Sequence, residues 1–201
     1  MNSGTSPKGS PMEKLAKQFG KKLVELIEAS PTLSRDVRAL RRAGVKIRRL
    51  NGVCRAYSRS EPGRPQEALL FIGAGCSPMM QAHYLAHEAY HVLAGKTRLI
   101  FDPRRITKRR FVGAALREEA RCLAHEARVS KELHDAGYSI GEGNYSYLVD
   151  YLSGGYREIR RRLEQECLSG TLTTYPDYYG QMYDRRVQEL AQRRRAQRKG
   201  A

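Results

Sequence analysis

The sequence predicts an α+β fold, mostly helical, with a small antiparallel sheet or hairpin packed beside one well-delimited helix. Three observations predict it. Leu15, Phe19, Leu23 and Ile27 recur at four-residue spacing and form one apolar stripe. Two segments rich in β-branched and aromatic residues, Val45–Tyr57 and Glu67–Gly73, flank a stretch holding Pro62, Gly63 and Pro65. Several further segments at helical spacing follow, punctuated by Gly and Pro.

The elements follow in order. Residues 1–11 are rich in Ser, Gly and Pro and read as a disordered lead. A helix is expected over 12–29, stopped by Ser30-Pro31, and a short one over 34–43 with Ser34 as N-cap and Gly44 at its end. The two strand segments come next. Gly73-Ala74-Gly75 is no dinucleotide fingerprint, because Pro78 stands where the third glycine would fall. Ser77-Pro78 is a strong helix start, Ser as N-cap and Pro in the first turn, for a helix running to Ala94. Residues 101–111 read as a basic loop, 112–136 as a long helix and 141–144 as a loop. Helices near 145–153, 156–168 and 181–197 complete the chain. The organisation expected is one folded domain over 12–183 and a basic C-terminal helix or tail over 184–201.

Composition bounds the function. The 201 residues are 40% apolar and 29% charged, enough for one packed domain. Lys and Arg total 37 against 21 Asp and Glu, a formal charge of +16. Such an excess fits an anionic partner, either an acidic protein or a nucleic acid, and says nothing about chemistry. The positive residues cluster in 35–55, 104–117 and 185–199, with few aromatics interleaved to stack bases. The apolar run Ala68–Gly75 is too short to span a bilayer, and the N-terminus lacks the apolar core of a cleaved signal. A cytoplasmic protein is expected, with export lacking a cleavable signal compatible with the lead. Cys54, Cys76, Cys122 and Cys167 form no CxxC pair and read as reduced thiols.

The chemistry resides in His87-Glu88-Ala89-Tyr90-His91, an H-E-x-x-H pattern inside the best-capped helix. Residues four apart share a helix face, so two imidazoles can converge on one cation, with Glu88 beside them as a proton acceptor and donor. A catalytic zinc takes three protein ligands, so a third must come from elsewhere. His83 shares the face, but a straight helix separates it from His91 by about 12 Å, too far for one ion. It is either a residue facing the site or a buried polar side chain. A third histidine six residues after His91 is excluded, since Ala94 and Thr97 occupy the positions that variant needs. The remaining source is a carboxylate from the 117–126 segment on an antiparallel return helix. Glu118 and Glu119 both lie there, and neighbours about 100° apart cannot both face the metal. His125 and His134 read as structural histidines. Nine of the twelve tyrosines follow residue 137, and no single one is marked for a role at the site.

Over residues 65–130 this combination resembles the small zinc metallopeptidases of the gluzincin kind, within the zincins. These include compact bacterial enzymes and the protease domains of phage-repressor antidote and radiation-response regulators. In those families H-E-x-x-H precedes a helix bearing E-x-x-A, whose Glu is the third ligand and whose Ala permits close packing. The resemblance favours Glu119, with Cys122 in the small-residue position, over Glu118. It implies a zincin-like metallopeptidase domain over 12–183 that binds zinc through His87, His91 and Glu119. Its activity would be hydrolysis of a protein or peptide substrate with Glu88 as general base. It also implies that an edge strand, here Leu69–Ile72, holds the substrate extended. The alternative reading is a basic nucleic-acid-binding protein with a structural or degenerate metal site.

Overall fold

The computed structural model describes residues 11–61, 64–94, 101–168 and 171–199. The expected lead lies outside these apart from Pro11. The architecture is α+β: eight helices among the described residues and one three-stranded sheet. The elements are α1 (Pro11–Phe19), α2 (Lys21–Ala29), α3 (Pro31–Arg42), β1 (Lys46–Leu50), β2 (Ala56–Glu61), β3 (Arg64–Gly73), α4 (Pro78–Leu93), α5 (Lys108–Asp135), α6 (Glu142–Gly154), α7 (Tyr156–Leu163) and α8 (Tyr175–Lys199).

The helix expected over 12–29 is two helices. Gly20 sits at φ 93° and turns the chain between α1 and α2, a conformation that L side chains rarely adopt. Ser30 both ends α2 and starts α3. Its side chain accepts from the Leu33 amide, and Pro31 fills the first turn, so α3 begins earlier than Ser34. Ser77 caps α4 as expected, accepting from the Met80 amide. Thr107 caps α5, which takes in part of the expected basic loop. The C-terminal helix is longer than expected and runs unbroken from Tyr175 through residue 184 to Lys199.

The sheet departs from the expected antiparallel hairpin. Its order is β1-β3-β2, with β2 antiparallel to β3 and β1 parallel to it in the register Lys46↔Leu69 to Leu50↔Gly73. Leu69–Ile72 is therefore the central strand, and the expectation of a substrate-holding edge there is corrected: both its sides already have partners. The parallel pair arises because residues 51–55 cross over the end of β3 to reach its other side. At the crossing the Gly73 amide donates to the Arg55 carbonyl and the Gly75 amide to the Val53 carbonyl. A Cβ on Gly73 would lie 2.2 Å from the Val53 carbonyl oxygen, so only glycine lets the chain pass. Cys54 and Cys76, 22 residues apart in sequence, meet beside this crossing as a disulfide, with Cα atoms 4.7 Å apart. The reading of four reduced thiols is corrected for this pair, while Cys122 and Cys167 take part in no disulfide.

Two cores share α5. One joins α1 to α4, the sheet and the C-terminal part of α5 around Leu26, Leu33, Leu70, Leu85 and Leu133. The other joins the N-terminal part of α5 to α6, α7 and α8 around Leu116, Leu123, Ile159 and Leu163, with Tyr147, Tyr151, Tyr156, Tyr175 and Tyr179 packed on it. At 28 residues α5 is about 42 Å long and links them. Glu132 of α5 fixes α3: it accepts from Ser30 Oγ (2.5 Å), the Thr32 amide (2.9 Å) and Thr32 Oγ1 (2.6 Å).

Gly73→Ala is expected to destabilise the protein by about 1–3 kcal/mol, the cost of overpacking against backbone that cannot rotate away. Chemical denaturation of the oxidised protein measures it, and an unchanged midpoint would contradict the crossing.

Candidate metal centre

Helices α4 and α5 run antiparallel, and the contacts between them descend in register. Ser130 Oγ meets His83 Nε2 at 3.1 Å, Glu126 meets His87, and Glu118 meets His91. Four-residue spacing on α4 is thus answered by four- and eight-residue steps on α5, which brings two histidines and three glutamates together.

Each imidazole is engaged at both nitrogens. His87 Nδ1 lies 3.2 Å from Glu126 Oε2, and His91 Nδ1 lies 3.0 Å from Glu118 Oε1. A carboxylate accepts, so both Nδ1 atoms carry the proton and both Nε2 atoms face the other way. There they meet one group: Glu119 Oε1 is 3.3 Å from His87 Nε2, and Glu119 Oε2 is 3.7 Å from His91 Nε2. The rings are 5.0 Å apart. Tyr179 of α8 donates to Glu119 Oε2 at 3.0 Å. Cys122 Sγ lies 3.3 Å from His91 Nδ1. His87, His91 and Cys122 present ligand atoms within 4.8 Å of one another, a group that can hold a metal ion.

The site is desolvated without being sealed. Side-chain exposure is 15% for His87, 20% for His91 and 13% for Glu119. Burial pulls His87 down, but Glu119 and Glu126 outweigh it and hold the imidazole well above its ordinary value of 6.5. Burial pushes Glu119 up, yet His87, His91 and the Tyr179 hydroxyl bring it from 4.5 to about 2. Burial and the Glu119 carboxylate both push the Tyr179 phenol up, so it remains a donor.

The sequence-predicted residues fall as follows. His87, His91, Glu118 and Glu119 come together. Glu88 is half-buried on the same helix and, among the described residues, forms no hydrogen bond or ion pair. His83 is fully buried against Ser130, which supports the buried-polar reading over a site-facing one. His125 Nε2 lies 2.6 Å from Asp36 Oδ2, a structural contact tying α5 to α3, and His134 is exposed in the last turn of α5. Sequence reasoning missed Glu126 and Tyr179, and it read Cys122 as a packing residue where the structure makes it one of the three residues that can hold a metal. Glu126 stands seven residues after Glu119, two turns along the same face, and that spacing was the available signal. The chain matches no known family model, and comparison with curated proteins and solved structures finds no similar one.

Protons and a bound metal would compete here. Without metal, the His87 contribution to stability is full below pH 6.5 and lost as pH rises through its raised value, whereas that of Glu119 is full above 4.5 and lost as pH falls towards 2. A metal that takes His87 Nε2 must displace that proton, so affinity for a cobalt(II) probe rises with pH. Glu126→Gln is expected to weaken that affinity about 10–100-fold at high pH and to move the rise to lower pH, as followed by chelator competition. A pH-independent affinity would contradict this.

Proposed function

We propose that this protein is a zinc-dependent metallopeptidase that hydrolyses peptide bonds of a protein substrate. His87, His91 and Glu119 hold the metal, and Glu88 is the general base. The observation that carries the reading is the position of Glu119: its two oxygens face the Nε2 atoms of His87 and His91 at 3.3 and 3.7 Å. The donors fit zinc. Two imidazoles and one carboxylate are a hydrolytic donor set, and the Nδ1 protons held by Glu126 and Glu118 orient both rings. Three glutamates around two imidazoles also supply negative charge to balance a divalent cation. Cys122 is the less suitable third ligand, because its sulfur lies beside His91 Nδ1, the nitrogen whose proton Glu118 accepts.

A bound zinc ion supplies a Lewis acid and makes water nucleophilic near neutral pH. The chain's own residues do the rest. Glu88, unpaired among the described residues, takes the proton of the attacking water and returns it to the leaving amine as the C–N bond breaks. Tyr179 steadies the Glu119 carboxylate from the side away from His87. The alternative of a basic nucleic-acid binder with a structural or degenerate site has the +16 charge in its favour.

Glu88→Gln separates the two. The peptidase reading expects hydrolysis of an unfolded protein substrate such as casein to fall by at least about a hundredfold, the scale of a lost general base, with zinc still bound one per chain. Full activity in that variant, or no hydrolysis by the zinc-loaded wild type, would overturn it.

A further inference from the structure

The outer side of β1 has no strand partner among the described residues, since β1 pairs only with β3. Beside it runs a groove of about 510 Å³ between β1, α1 and the end of α3. Four cations line it, Lys14, Arg41, Lys46 and Arg48, over the apolar side chains of Leu15 and Ile47. Among the described residues that line it, none is acidic and none is aromatic. Arg49 Nη1 donates to the Gln18 carbonyl at 3.0 Å and holds α1 alongside the strand. No described residue of α4 lines the groove.

An unpaired edge presents main-chain donors and acceptors that an extended chain can satisfy. Five residues of strand offer about 16 Å of ladder. Cations at Lys46 and Arg48 alternate with the apolar Ile47, which suits a segment alternating acidic and apolar side chains. We propose that this edge is a docking site for an extended acidic peptide of a partner protein, which adds as a fourth strand while Lys46 and Arg48 pair with its carboxylates. An edge without aromatic platforms is a poor seat for nucleic-acid bases, which stack on rings when bound single-stranded. The proposal is independent of the metal centre and its chemistry.

Fluorescence anisotropy of the full chain with a labelled ten-residue peptide alternating Glu and Val tests it. Binding is expected to weaken at least tenfold for the double variant Lys46→Glu/Arg48→Glu, and to be unaffected by Arg193→Glu/Arg194→Glu on α8. The same peptide N-methylated at alternate residues keeps its charge but loses the ladder, and wild-type protein is expected to bind it at least tenfold more weakly. Equal binding of the N-methylated peptide overturns strand addition. Unchanged binding by the Lys46/Arg48 variant overturns the site. So does tighter binding of a DNA strand of equal charge that is lost in that variant, since the groove would then serve nucleic acid.

Discussion

The contact between α4 and α5 is a buried exchange of charge, and the remaining architecture serves to hold it. Burying imidazoles and carboxylates costs several kcal/mol per ion unless each is paired in good geometry. Here every imidazole nitrogen of His87 and His91 has a carboxylate within 3.7 Å, and Glu119 has a further donor in Tyr179. Removing one partner would leave an uncompensated charge in the interior. The helices must therefore sit in one register, and the paired Ser130 and His83 one turn further along continue it.

The ties that set this register come from outside the site. Glu132 and His125 bind α5 to the start of α3 and to Asp36, and α3 in turn packs in the same core as α4. The crossing at Gly73 and the Cys54–Cys76 disulfide fix the chain just before Ser77 begins α4. From the other end, Tyr183 of α8 donates to the Pro103 and Ile106 carbonyls, and its ring packs with Phe101 and Phe111 at the start of α5. Both cores thus converge on one helix pair, and Tyr179 is where the second core reaches the candidate metal ligands.

What the sequence revealed followed local rules. Ser77-Pro78 marked α4, the four-residue spacing marked His87 and His91, and an antiparallel return placed Glu118 and Glu119 opposite them. What it concealed depended on long-range register. Glu126 becomes an orienting group only once the helix pairing is known. Tyr179 stands 60 residues from Glu119 among many tyrosines at similar spacing. The mixed sheet was hidden because a five-residue crossing over a glycine leaves no periodicity, and the same crossing brings together two cysteines that sequence spacing keeps apart. The two adjacent glutamates diverge as helix geometry requires, yet both reach His91: Glu118 lies on its Nδ1 side and Glu119 on its Nε2 side.

The side of the two imidazoles that a bound metal would occupy decides its ligand set. On the Nε2 side its third ligand would be Glu119; on the other, sulfur from Cys122 would come within reach. X-ray absorption of the full chain loaded with one equivalent of zinc distinguishes them directly. Nitrogen and oxygen scatterers alone, at about 2.0–2.2 Å, are the result predicted; a sulfur scatterer at about 2.3 Å would contradict the account.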